Sequence, residues 1–266
     1  MGMNIRRLCK GNLLRILFWG EVSFFAVLLL YCIGRIFVCD NFTIRGSSME
    51  PTFRNGQKVF VFKPILGPRI YTNFDFRDGS PLECKRLKGI RHLRPGDIAI
   101  FNSPEGQGAG RIGFRLNYIY AKRCLGAAGD TVLIKDSRYT SSGYAGQIIP
   151  ESSENILRSI PDSLLTENSC LAAGFFAGES ERWTIKDMGP LVVPYKGMKI
   201  PLDSANVAIY SMVLEYESGS IPEVSYSSYY VFLENYAFFV GDNAPDSRDS
   251  RYFGFVPEKY VIGIVM

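Results

Sequence analysis

Histidine is almost absent from this chain: 266 residues carry one, His92, in the stretch RHLRPGD ahead of a turn. A Ser-His-Asp enzyme would need that imidazole as its base, and nothing around it suggests a pocket. One histidine and scattered acids also give no ligand spacing for a metal hydrolase. No CxxC occurs, which removes zinc knuckles and thioredoxin-like sites. Phosphate-binding and dinucleotide glycine fingerprints are missing too, as are internal repeats and low-complexity tracts. The net charge is only +4, and Arg6, Arg7, Lys10 and Arg15, with no acid among them, account for all of it. The remaining chain is balanced and has no electrostatic footprint for nucleic acid.

What the chain does have is a long apolar run. ILFWGEVSFFAVLLLYCIGRIF, Ile16–Phe37, follows the basic head of residues 1–15. A helix crossing a bilayer core takes about 20 apolar residues. The uninterrupted part, Val22–Gly34, falls short of that. A span over residues 16–38 therefore places Glu21 and Arg35 near opposite interfaces, with Arg35 snorkelling. A cleaved signal peptide and a soluble core helix are the alternatives. No small-x-small site closes the run, which ends CIGRIFVCDNF. Clustered positive charges before the run put the N-terminus in the cytoplasm and residues 39–266 outside. The six cysteines settle less. Cys9, Cys32 and Cys39 lie in or beside the anchor, while Cys84, Cys124 and Cys170 lie in the body. An outside location permits one disulfide among the latter three, and its pairing stays open.

With 47% hydrophobic and 14% aromatic residues, the body can fill a core. Its pattern is β. Gln57–Phe62 follows an Asn55-Gly56 turn, the RPGD turn at 94–97 delivers Ile98–Phe101, and AAGD at 127–130 delivers Thr131–Lys135. Tyr230–Leu233 and Tyr236–Val240 flank Glu234-Asn235 as an expected hairpin. Short strands between such turns predict an all-β, barrel-like domain over residues 39–266. Residues 64–92 read as an extended loop or hairpin. Residues 136–182 are polar and read as an insertion, with one short helix capped at Ser152 or Ser153.

Three stretches carry candidate chemistry. GSSMEPTFRNGQ at 46–57 offers two adjacent hydroxyls before a proline. IYAKRCLG at 119–126 sets Lys122 in an apolar strand, an unusual place for a solvated lysine. GDNAPDSRDSRYFGFVP at 241–257 is a dense loop of small, acidic and basic residues. A serine nucleophile without histidine needs another base, and lysine serves if burial suppresses its charge. An unperturbed lysine, near pKa 10.4, is neutral in fewer than about one molecule in a thousand at pH 7.

Together these stretches resemble the type I signal peptidases. GSSMEPT at 46–52 is similar to their Ser-Met-x-Pro-Thr nucleophile motif, and RPGDIAIF at 94–101 to their Gly-Asp strand. YAKRCLGAAGDTV at 120–132 resembles their Lys-Arg-x-x-Gly-x-x-Gly-Asp motif, and GDNAPDSRDSR at 241–251 their Gly-Asp-Asn motif ending Ser-x-Asp-Ser-Arg. WTIKDMGPLVVPYKG at 183–197 is a weaker match to members from Bacteroidetes-type bacteria. The resemblance implies Ser48 as nucleophile, Lys122 as general base, and Ser247 as the hydroxyl that positions the amine. It implies an Asp249–Arg251 ion pair holding the loop and a second pair between Asp242 and Arg123. The Ser48 backbone N–H would bind the oxyanion. Some members add a serine hydroxyl where this chain has Gly46, which leaves Ser47 or backbone at Gly46 as the second donor. Many members have Arg after Gly-Asp-Asn, where this chain has Ala244-Pro245. No metal or cofactor is implied.

The implied substrates are exported preproteins with small residues one and three positions before the cut, bound as an added strand. The implied setting is the bacterial inner membrane, with Met49 and FVFKPIL at 60–66 facing lipid. Runners-up are a specialised maturation peptidase of the same fold, a relative of self-cleaving repressors, and a catalytically inactive anchored binding module. No DNA-binding head precedes the dyad, which argues against the repressors.

Overall fold

The computed structural model describes residues 3–75, 77, 82–106, 110–167 and 183–266. Helix α1 (Met3–Ile33) ends in a wider π-helical turn, Gly34–Val38. Arg15–Val38 within it spans 24 residues at a mean hydropathy of 2.1, with none of its most apolar window buried against the chain. Apolar all round and unpacked, such a helix has the length and composition to cross a bilayer.

Strand β1 (Cys39–Thr43) leaves that turn directly and pairs antiparallel with β2 (Lys58–Phe62). Strands β3 (Arg69–Tyr71) and β4 (Cys84–Arg86) pair within the 64–92 stretch, as its hairpin reading expects. The long central strands are β5 (Ile98–Glu105) and β6 (Ile112–Gly126). Then come β7 (Thr131–Lys135), β8 (Arg138–Ser141), β9 (Met188–Val192), β10 (Lys199–Leu202) and β11 (Ser225–Val231). The last strands are β12 (Tyr236–Val240), β13 (Val256–Pro257) and β14 (Val261–Val265). A seven-stranded antiparallel sheet runs in the order β1-β2-β14-β5-β6-β12-β13, and β8-β7-β9 form a smaller one. The body is thus mostly sheet behind one N-terminal apolar helix, the expected class.

Aromatic side chains supply much of the core. Phe101 of β5 and Phe239 of β12 stack with centroids 4.4 Å apart, and Tyr120 of β6 stacks on Phe253. Each fully buried Phe contributes about 1.5–3 kcal/mol. Along β6 the side chains alternate, so Lys122 and Cys124 point into this core, 2% and 0% exposed, while Arg123 between them turns away.

Several local expectations are corrected. Tyr230–Leu233 and Tyr236–Val240 do not pair as a hairpin: β11 pairs with β10, and β12 with β6 and β13. The link between them is held instead by Glu217, whose carboxylate accepts from the N–H groups of Leu233 and Glu234. Glu217 belongs to α4 (Ser204–Ser218), a helix the β reading missed. Its signals are in the sequence: Asp203 caps it by accepting from Asn206 N–H at 2.8 Å, and Gly219 ends it at φ 82°. In the excursion, α2 (Glu151–Ser159) begins straight after Pro150 with no side-chain cap, and α3 (Asp162–Glu167) follows. Neither Ser152 nor Ser153 caps α2. Cys84 and Cys124 are free thiols, and Cys170 lies outside the described residues. Met49 is 1% exposed and Ile65 and Leu66 are buried too, so of the stretch expected to face lipid it is Phe60 that stands well exposed.

Candidate active site

The loop between β1 and β2 carries Ser48. Its neck is closed by Ile44 N–H donating to Gln57 O and by Gly56 N–H donating to Ile44 O, at 2.8 and 2.9 Å. Gly46 takes φ 80°, a conformation that favours glycine, and its N–H donates to Asn55 Oδ1. Buried Met49 anchors the crest of the loop in the protein interior. Ser48 is left half-buried at the surface of the sheet.

Lys122 reaches this serine from β6, with Nζ 2.5 Å from Ser48 Oγ. Burial is the main reason its pKa falls, to about 8, and the Arg251 charge pushes the same way. The Asp249 charge, more strongly than Arg251 acts, and the charges of Asp242 and Asp246 pull against that shift. A neutral amine beside a hydroxyl can take the hydroxyl proton.

The loop after β12 closes over the pair. Gly241 begins it, where an added Cβ would stand 2.1 Å from Ser247 Oγ and 2.5 Å from Ser48 O, so only glycine fits without movement. Asn243 N–H donates to Ser48 O at 3.0 Å, and its side-chain amide donates to Ser47 O. Ser47 Oγ donates to Asp246, which commits that hydroxyl to holding the two loops together. Thr52 Oγ1 donates to Asp242, whose carboxylate is fully buried and paired with Arg123. Arg123 Nη1 in turn donates to Gly96 O of the RPGD turn. Nothing in the sequence marks Thr52 or Asn243 individually, although both lie inside GSSMEPT and GDNAPDSRDSR.

Asp249 and Arg251 pair through two hydrogen bonds of 2.8 Å, and both are buried. Burial would raise the Asp249 pKa, but the Arg251 charge and hydrogen bonds hold it below the usual carboxylate range. Asp249 also accepts from Gly241 N–H and caps α5 (Ser250–Phe253). Ser247 departs from its expected contact. Its Oγ is buried against Gly241 and makes no hydrogen bond, to Lys122 or to any other described residue.

The excursion contributes more than its polar composition suggests. Ser153 Oγ of α2 accepts from Ala244 N–H at 2.6 Å, and Arg251 Nη1 donates to Tyr139 OH of β8. Buried Glu154 accepts from Tyr139 N–H. Nothing in the sequence marks Tyr139, and the Ser153 hydroxyl looks there like a helix cap. Ser153→Ala leaves the buried Ala244 N–H without an acceptor, so it lowers stability by about 1–3 kcal/mol. A denaturant midpoint equal to wild type would show that this link holds nothing. Among the described residues, no three His, Cys, Asp or Glu side chains converge as metal ligands.

A hydroxyl facing a charge-suppressed lysine, on a loop clamped to a sheet, is the geometry of the Ser–Lys class of serine hydrolases. Residues 16–266 match the family described as signal peptidase, peptidase S26, and the chain belongs to that family. It is 26% identical over 252 residues to signal peptidase I of Buchnera aphidicola subsp. Baizongia pistaciae, covering 92% of this chain and 74% of that one. To signal peptidase I of Haemophilus influenzae it is 25% identical over 271 residues, 91% of this chain and 66% of that one. The crystal structure of a signal peptidase I from Enterococcus faecalis V583 is similar at 22% identity, covering 67% of this chain and all of that one, with a TM-score of 0.31.

Proposed function

We propose that this membrane-bound serine endopeptidase removes signal peptides from exported preproteins with Ser48 as nucleophile and Lys122 as general base. The 2.5 Å contact between Ser48 Oγ and a buried Lys122 amine carries that assignment. Neutral Lys122 takes the Ser48 proton as Oγ attacks the scissile carbonyl. The Ser48 N–H stabilises the oxyanion, since Gly46 has no side chain and its N–H is already given to Asn55. Lys122 then hands the proton to the leaving amine as the C–N bond breaks; neutral again, Lys122 takes a proton from the water that attacks the acyl-enzyme and returns it to Ser48 Oγ as the ester bond breaks. Asp242, Arg123, Asp249 and Arg251 hold the two loops around this pair rather than touching substrate, and Ser247 fills the space beside Gly241.

The chain divides into a basic head at 1–15, an anchor at 16–38 and a catalytic domain at 39–266 with an excursion at 136–182. We place the head in the cytoplasm and the domain outside the bacterial inner membrane, because the cations cluster before the span. Even fully extended, the chain from Val38 to Ser48 reaches no more than about 36 Å. Ser48 therefore works close to the membrane surface, where a preprotein's cleavage region emerges with small residues one and three positions before the cut.

The test is cleavage of a preprotein panel by wild type and Ser48→Ala in liposomes, alongside a covalent serine-directed probe. Wild type cuts after small residues and takes the label at Ser48; the variant does neither. Residual cleavage by Ser48→Ala would remove the nucleophile assignment. Binding of preproteins with neither cleavage nor labelling would favour the inactive anchored module.

A further inference from the structure

Where α1 meets the sheet, a cavity of about 380 Å³ opens, lined by Ile36, Phe37, Ile70 and Phe74 together with Lys63 and Arg69. Ile36, Ile70 and Phe74 are exposed, and α1 runs on from Ile36 as the apolar helix.

The charges around this cavity do not balance. Arg69 and Arg86 sit directly opposite each other in the β3–β4 ladder, an arrangement that like charges destabilise. Arg69 donates to Asn102 Oδ1, to Tyr71 OH and to the carbonyls of Lys259 and Tyr260. Among the described residues, Arg86 donates only to the carbonyls of Gly67, Glu258 and Val261. Among the described residues, neither guanidinium has a carboxylate in ion-pair contact. Glu258 reaches Arg86 only as a more distant charge. Lys63 Nζ donates to Arg35 O and stands 3.7 Å from Asp40, which Arg35 already engages. Arg35 and Lys63 thus share one carboxylate, and among the described residues Arg69 and Arg86 contact none.

Burial lowers the pKa of Lys63, Arg69 and Arg86, the last to about 10, and Arg69 repulsion lowers both Lys63 and Arg86 further. A buried cation such as Arg69, and half-buried ones such as Lys63 and Arg86, are costly without counter-charges, and an anion beside them offsets that cost. A free, water-soluble anion would gain nothing from Ile36, Phe37 or Phe74. A lipid phosphate satisfies the cations and the apolar wall together.

We propose that this cavity holds the phosphate of an anionic phospholipid, with its acyl chains lying back along Ile36, Phe37 and α1. This assignment rests on α1 being a membrane anchor. It adds a specific headgroup to what an anchor alone requires.

The full chain is reconstituted into vesicles of phosphatidylcholine with or without phosphatidylglycerol, extracted gently, and its co-purifying lipid counted by mass spectrometry. Phosphatidylglycerol is retained about fivefold or more over its bulk share, the scale expected per unpaired cation near a membrane. Lys63→Gln brings retention down to the bulk share, and the exposed-site variant Phe74→Ser lowers it without touching buried Arg69 or half-buried Arg86. Both variants keep wild-type cleavage rates in detergent. Equal retention of the two lipids by wild type would overturn the site, as would an unchanged enrichment in Lys63→Gln. Displacement of phosphatidylglycerol by millimolar inorganic phosphate would overturn the lipid in favour of a free anion. Release of the chain from pure phosphatidylcholine vesicles by alkaline carbonate would instead remove the anchor, and the headgroup site with it. A chain that resists that wash but shows no enrichment fails on the headgroup alone.

Discussion

Lys122→Arg abolishes preprotein cleavage as completely as Lys122→Ala. Arginine preserves length and charge, so a lysine acting only as a fixed cation or a hydrogen-bond donor would tolerate it in part. A guanidinium does not give up its proton in a protein, however, and cannot take one from Ser48. The wild-type pH profile checks the same point independently. Lys122 loses its proton at about pH 8 rather than 10.5 because it is buried in the apolar wall of β6. The active form is the neutral one, so the rate rises with pH through about 8 and falls about tenfold per unit well below it. The expected measurements are initial rates in liposomes from pH 6 to pH 10 and single-turnover assays of both variants. Near-normal turnover by Lys122→Arg would end the case for lysine as base.

The candidate site is legible in the sequence where short segments carry it. Lys122 in an apolar strand, Ser48 before a proline-stiffened turn, and the acidic–basic loop after Val240 each announce themselves within a dozen residues. The partners that lock them together come from far away in the chain. Ser47 meets Asp246, Thr52 meets Asp242, and Tyr139 meets Arg251. No local pattern encodes such pairings, so Tyr139 and Ser153 could not be chosen from the polar excursion. The fold shows the same division. Strands Lys58–Phe62 and Thr131–Lys135 were readable from turn residues and alternation. The Tyr230–Val240 hairpin was misread because Glu217, on a helix earlier in the chain, takes the N–H groups that a tight turn would have used. Helix α4 was missed although Asp203 and Gly219 bracket it, since its apolar residues face a core on more than one side. Hydrophobicity alone does not distinguish core from membrane, so in the sequence Met49 reads as lipid-facing.

Asp249→Ala costs the domain about 3–5 kcal/mol, the scale of breaking one half of a buried ion pair. Arg251 is 1% exposed, and its guanidinium would remain in the protein interior with its charge uncompensated. Two further N–H groups lose their acceptor, on Gly241 and on Arg251 itself. Gly241 packs against both Ser48 O and Ser247, so the loosened loop also releases the Ser48 carbonyl from Asn243. Stability and activity therefore fall together. A second variant separates the charge from the packing: Asp249→Leu combined with Arg251→Met removes both charges and restores part of the loss. Recovery stays incomplete, because Tyr139 OH and Ala244 O lose the donor that Arg251 supplied. Chemical unfolding of the full chain in detergent, followed by tryptophan fluorescence and circular dichroism, measures all three proteins. If Asp249→Ala unfolds at the wild-type midpoint, the pair does not hold this loop. If the double variant is no better than the single one, the cost lies in lost hydrogen bonds rather than in a stranded charge.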